Sequence, residues 1–309
     1  MTSRRWLTLT ALTIAGIVSI HLLVAYELDV YGILRNPAGR ELATSIIYAP
    51  MTDDRVFKYM ANRRYVSANF DSLIIGSSSS ENWYPEFIHG YHFYDEAVIG
   101  GKASEEKIIT DQLPPDAHLR IAICALSPYI VAGHELRHGL GDVSRREAYG
   151  SINLLSEEIA KVMTILHLRP KMYFADGSHR FPEKKHLDRE DLGPSYYDID
   201  PKAMADYRAL VLNLQAHGAK IIYVAPPVYQ PLFGDLSPIH HSLELMLAEL
   251  PPGPIIDFNS EPEFADFIRD PNNFTDDVHV NDFGAERVSR TLDQRLHILT
   301  ASANGGLLH

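Results

Sequence analysis

From Leu73 onward, short apolar runs of β type alternate with amphipathic segments, and this alternation limits the fold more than any other feature of the chain. The strand candidates are Leu73–Ile75, Tyr94–Val98, Arg120–Leu126, Lys220–Ala225 and Pro254–Phe258. Between and after them lie helix candidates at Ser104–Leu113, Ser156–Leu168, Pro201–His217, Leu236–Leu250 and about Asp282–Ile298. Strand and helix in regular turn predict a mostly parallel sheet covered on both faces. The Pro201 segment carries clear punctuation, with Asp200 to cap it, Pro at its first position and Gly218 at its exit. In such sheets, sites form beyond the carboxyl ends of the strands. One stretch, Lys171–Asp200, breaks the rhythm with charged and aromatic residues and reads as a lid or substrate loop.

The N-terminus adds a second constraint. Arg4 and Arg5 precede an uncharged stretch from Trp6 to Tyr26, long enough to cross a bilayer and longer than the apolar core of a cleaved signal. No Ala-x-Ala site follows. The expectation is one transmembrane signal anchor over 1–26 with the arginines inside, a juxtamembrane lead-in over 27–70, and an exported domain over 71–300. A cleaved signal peptide is the alternative, and both export the chain. His21 is unusual in such a segment. The net charge of −12 argues against nucleic acid and anionic lipid surfaces as partners. Cys124, the only cysteine, sits in an apolar run and reads as a buried structural thiol, so no intrachain disulfide is expected.

Two segments far apart carry the chemistry. Leu73-Ile74-Ile75-Gly76-Ser77-Ser78-Ser79-Ser80 reads as a buried strand running into a serine-bearing turn. Ser78, two after the glycine, is the favoured nucleophile. A serine is weak alone and needs an adjacent base. Asp276-Asp277-Val278-His279, just before the last helix, offers that base in His279 and its orienting acid in Asp276. Each segment has a plainer reading: Ser78-Ser79-Ser80-Glu81 fits a helix capping box, and Asp276 fits a helix cap beside a surface histidine. Asp176-Gly177-Ser178-His179 repeats the Asp-x-x-His spacing. Gly100-Gly101 follows the second strand candidate and opens a helix, where backbone N–H groups can meet an oxyanion; a simple turn is the alternative.

These three segments together resemble the SGNH/GDSL hydrolase superfamily. Gly76-x-Ser78 is similar to its first block, Gly101 (or Gly100) to its oxyanion glycine, and Asp276-x-x-His279 to its last block. The basic-apolar N-terminus, Tyr31-Gly32 and Ala225-Pro226-Pro227-Val228 resemble a membrane-anchored branch that includes alginate and lipoteichoic-acid acylation proteins. The resemblance covers about residues 70–298. It implies a flavodoxin-like three-layer sandwich, with Ser78 as nucleophile, His279 as base, Asp276 as orienting acid and Gly101 as oxyanion donor. It implies no cofactor and no metal. It also implies an ester hydrolase or O-acyltransferase acting on an envelope or extracellular carbohydrate, with its domain outside the cytoplasmic membrane. Two departures stand out: Ser77 replaces the usual Asp before the nucleophile, and Leu126-Ser127-Pro128-Tyr129 lacks the oxyanion Asn of the family's third block. The missing donor leaves open a catalytically idle glycan-binding or scaffold protein. Trp83, Tyr84, Tyr196 and Tyr197 are candidate sugar-stacking rings.

His134-Glu135-Leu136-Arg137-His138 is a full His-Glu-x-x-His match. On a helix, His134 and His138 would share a face and bind zinc beside Glu135 as base. The glycines at 133, 139 and 141 argue against a long helix there, and the parallel α/β pattern argues against a zinc peptidase.

Overall fold

The computed structural model describes residues 3–30, 54–133, 152–168, 174–180 and 197–305. Its centre is a parallel sheet of β1 (Ser72–Ile75), β2 (Phe93–Asp95), β3 (Ile121–Ala125), β4 (Lys220–Ala225) and β5 (Ile255–Asp257), in the spatial order β2-β1-β3-β4-β5. This is the flavodoxin-like order expected of the chain. Every residue of β1 and β3 is buried, as strands covered on both faces must be.

The helices are α1 (Ser3–Leu28), α2 (Asp54–Ala61), α3 (Ala103–Thr110), α4 (Ile152–Ile165), α5 (Pro201–Ala216), α6 (Ser237–Glu249) and α7 (Asp282–Gly305), with shorter helical turns between. Alternate strand residues feed two cores. Leu73, Ile75, Ala122, Cys124, Ile221 and Tyr223 pack with Tyr207, Leu210 and Leu214 of α5 and Met246 of α6. Ile74, Ile121, Ile123, Ile222 and Val224 face the other way, against Trp83, Phe274 and the α7 residues Val288, Leu292 and Leu296. Three layers result. Asp200 caps α5, its Oδ1 accepting from the N–H groups of Lys202 and Ala203 at 2.8 and 2.9 Å, and Gly218 leaves it at φ +94°, a conformation glycine adopts at no steric cost. Cys124 is a free, fully buried thiol, pushed up to about 12 by that burial.

The segment before β1 is built into the domain: Met60, Ala61 and Val66 are buried, and Arg55 of α2 donates to Glu105 of α3 and to the Ile99 carbonyl. α1 is long and apolar enough to cross a membrane, with a mean hydropathy of 2.1. Among the described residues, its last turns touch the domain through His21, Ala25 and the partly buried Leu28.

A buried polar cluster lies where α2 meets the carboxyl ends of β1 and β2. Lys58 is fully buried, donates to the Ala97 carbonyl and stands 3.6 Å from Glu81. Glu96 and Glu106 are buried beside it. Burial pushes the Glu96 carboxyl up to about 8 from 4.5, with Lys58 pulling the other way. A carboxyl raised in the folded state contributes stability below its unfolded pKa and loses it as pH rises through the folded one. Stability is therefore expected to fall between about pH 4.5 and 8 through this group. Glu96→Gln should flatten that slope, so that the variant gains on the wild type at pH 8 relative to pH 5. Urea midpoints at both pH values check this, and parallel curves for the two proteins would contradict it.

Candidate active site

β1 ends at Ile75, and Gly76 turns the chain in a space that admits no side chain: a Cβ there would stand 2.3 Å from Ser80 Oγ and 2.8 Å from Ala125 Cβ. The next residues form a tight turn closed by the Ser77 carbonyl, which accepts from the N–H groups of Ser80 and Glu81 at 2.9 and 3.2 Å. The capping-box reading of Ser78 and Glu81 does not hold. No helix starts there, Glu81 turns inward to Lys58, and the Ser78 hydroxyl faces His279. Ser79 Oγ lies 3.3 Å from Ser77 Oγ, and Ser80 Oγ donates to the Ser77 carbonyl. The four adjacent serines are thereby told apart, and Ser78 alone meets the imidazole.

His279 comes from a hairpin-like loop. Phe274 and Val280 bridge in antiparallel fashion, the Thr275 N–H donates to the His279 carbonyl at 2.8 Å, and the Asn281 N–H donates to the Asn273 carbonyl at 2.9 Å. Asn281 then caps α7, accepting from the Gly284 N–H at 3.0 Å. Gly284 is demanded by closeness, since a Cβ there would lie 2.0 Å from the Asn273 carbonyl oxygen. Two bonds tie this loop and α7 to the serine turn. Asn82 Nδ2 donates to the Val280 carbonyl, and the Tyr84 N–H donates to Ser289 Oγ at 2.7 Å. Asn82 carries no signal in the sequence beyond its place four residues after Ser78.

The three side chains form one hydrogen-bonded line. His279 Nε2 is 2.8 Å from Ser78 Oγ, and His279 Nδ1 is 2.9 Å from both Asp276 oxygens. An ionised carboxylate only accepts, so Nδ1 carries the imidazole proton and Nε2 is left to accept from the serine. Asp276 Oδ1 also accepts from the N–H groups of Val278 and His279 at 3.0 and 2.8 Å. Burial opposes the charge on Asp276, but these bonds outweigh it and hold the carboxyl below its usual range. Asp276 and His279 are largely buried, while Ser78 stays partly open. The second Asp-x-x-His match is built differently: Asp176 accepts from the Ser178 N–H and hydroxyl at 3.1 and 2.6 Å, and burial pulls His179 down to about 4.

The glycine pair departs from expectation. Gly101 donates its N–H to the Val98 carbonyl at 2.9 Å, and Gly100 between them takes φ +61°, the pattern of a type II turn. A Cβ on Gly101 would meet Val98 Cγ2 at 2.6 Å and Glu106 Oε1 at 2.8 Å. Gly101 is thus a close-packing residue whose donor is spent on the turn, which corrects its assignment as oxyanion donor. Among the described residues, the Gly100 N–H donates to no other group, whereas the parallel bridge between Ser77 and Val98 turns the Ser78 N–H toward the Val98 carbonyl.

Of the candidate aromatics, Trp83 is fully buried in the core, and Tyr84 donates its hydroxyl to Asp282 at 2.6 Å with Arg180 over its ring. Neither presents a face to a sugar. Tyr197 packs against the cluster of Val228, Phe233, Ile239 and Val278, while Tyr196 lies outside the described residues. His134, Glu135 and His138 also lie outside them. Among the described residues, no group of three or more His, Cys, Asp or Glu side chains is placed to hold a metal ion.

The fold and site together define a parallel α/β sandwich with a Ser–His–Asp line at the carboxyl end of its first strand. No family model and no curated protein matches the chain. Among solved structures, it is similar to a protein of Streptococcus pneumonia provisionally named as a platelet activating factor, at 12% identity and a TM-score of 0.40, covering 79% of this chain and 91% of that one. It is also similar to a protein of Bacteroides fragilis NCTC 9343 provisionally named as an acylhydrolase, at 11% identity and a TM-score of 0.37, covering 74% and 86%.

Proposed function

We propose that the protein is an exported serine ester hydrolase or O-acyltransferase, anchored in the cytoplasmic membrane by α1 and acting on an envelope or extracellular carbohydrate through an acyl-enzyme. The observation that carries this reading is the unbroken line from Ser78 Oγ through His279 to Asp276. Ser78 Oγ attacks the acyl carbon while His279 Nε2 takes its proton. Asp276 holds the imidazole in the tautomer that can do so and balances the charge it gains. The carbonyl electrons move onto oxygen, where the Ser78 N–H is the nearest donor in sequence and the Gly100 N–H the second candidate. The proton on His279 passes to the departing alkoxide, leaving an ester on Ser78. Water or a sugar hydroxyl, deprotonated by His279, then takes the acyl group. The carbohydrate acceptor follows from the resemblance to polysaccharide acylation proteins.

The spent Gly101 N–H and the absent block-three Asn favour a second reading, an idle glycan-binding scaffold. A fluorophosphonate probe separates the two. In the active protein, Ser78 Oγ forms a bond to phosphorus, fluoride leaves, and His279 takes the proton. Peptide mass spectrometry of the full chain in detergent should find the phosphonyl group on Ser78 alone. An unlabelled Ser78 under conditions that label a control serine esterase would sink the enzyme reading and leave the scaffold.

A further inference from the structure

α4 carries apolar residues on its outward face. Its outward stripe is apolar: Leu155, Ile159 and Val162 are 45%, 49% and 39% exposed, and Ile165 and Leu166 continue the stripe at 57% and 60%. Its inward side buries Glu157, Glu158 and Thr164 beside the apolar Leu154 and Ala160. A surface helix ordinarily shows the reverse, and contiguous exposed apolar surface marks a contact.

What covers this stripe is indicated by what α4 packs against. Its polar side lies on the outer end of α1. Glu158 Oε2 is 3.3 Å from His21 Nδ1, and Lys161 Nζ donates to the Leu28 carbonyl. These pairs account for the histidine near the end of the apolar span, since it meets a carboxylate of the adjoining helix. The rest of α1, from Arg4 to Ile20, stands exposed almost throughout. Counted from Trp6, a bilayer of about 20 helical residues ends near Ala25, which is the level of the α4 contacts. The apolar surface of α4 is therefore continuous with the apolar surface of the span. At 14 residues, α4 is about 21 Å long, too short to cross a hydrocarbon core of about 30 Å.

We infer that α4 is a second membrane contact, its Leu155, Ile159 and Val162 stripe seated in the outer leaflet beside α1. The occupant is the lipid bilayer. The contact rests on α1 being the anchor, and it fixes how the sheet, and with it the mouth of the Ser78 site, is tilted relative to the membrane. A single helical tether would leave that angle free; two non-collinear contacts set it.

Spin labelling of the full chain in phosphatidylcholine vesicles tests this. Single cysteines replace Leu155, Ile159 or Val162, with Ile14 on α1 as the anchor control and the exposed Leu212 on α5 as the distant control. The native thiol is fully buried and does not compete for label. Nitroxides at 155, 159 and 162 should collide several-fold more often with oxygen, which concentrates in lipid, than with a water-soluble nickel chelate, as at Ile14. Leu212 should show the opposite preference. A lipid signature at Ile14 with a water signature along α4 would overturn the inference and leave the anchor standing. Labels on α4 shielded from both reagents would show protein covering the stripe and overturn it equally. A water signature at Ile14 would remove the anchor and the inference together.

Discussion

Ser78→Ala is expected to lower turnover of p-nitrophenyl acetate by at least about 10⁴-fold while the protein stays folded, because removing a nucleophile that works as a unit with its base removes most of what the unit does. The neighbours cannot substitute. Ser79 is turned to Ser77, and Ser80 is buried with its hydroxyl on the Ser77 carbonyl. Ser79→Ala should therefore keep activity within a few-fold, and this control gives the prediction its specificity. Folding should survive because the turn is closed by the Ser77 carbonyl and by Gly76, not by the Ser78 side chain. Initial rates of the two variants in detergent, beside their thermal midpoints, decide it. Wild-type turnover retained in Ser78→Ala would move the chemistry away from this serine.

Much of the scaffold is legible in the chain, for physical reasons. β4 falls on Lys220–Ala225, where a short β-branched apolar run is bounded by a helix exit and a Pro-Pro pair. β2 ends at Asp95, short of the expected Val98, though Val98 still bridges Ser77, and the Glu96 side chain turns into the polar cluster at the carboxyl end of the sheet. That cluster was invisible: Lys58, Glu81, Glu96 and Glu106 look like surface charges until the fold collects them. The site was nominated by two weak patterns whose members meet across 201 residues. Topology made them one site, since both loops leave the carboxyl side of the sheet. Gly101 was misread because a glycine that offers its N–H to a ligand and one that closes a turn share the same sequence. Periodicity likewise marked the residues after Ser156 as an amphipathic helix, but periodicity gives the existence of an apolar face, not the direction in which it points.

Asp276→Asn is expected to lower kcat by roughly 10⁴-fold with little change in KM, and it separates a catalytic carboxylate from a loop-forming one. One carboxylate oxygen already accepts from the N–H groups of Val278 and His279, and the amide oxygen of Asn can keep both bonds, so the loop persists. The NH2 then falls where the second oxygen stood, 2.9 Å from Nδ1. Nδ1 then loses its ionised acceptor and meets a donor beside the amide oxygen, so the tautomer with the proton on Nε2 gains at the expense of the productive one. In that tautomer Nε2 has no lone pair to accept from Ser78. Asp276→Ala, by contrast, should cost the loop as well as the rate, because two backbone N–H groups lose their acceptor. The same bonds fix the pH behaviour. They hold the folded carboxyl below 3.8, so the stability they contribute is present above that value and is lost as pH falls through the folded pKa. The stability advantage of the wild type over the Asn variant should shrink only below about pH 4. An acid limb in the rate profile above that pH belongs to another group. Activity of Asp276→Asn within tenfold of wild type would mean that something else sets the tautomer of His279 and that Asp276 serves the loop alone.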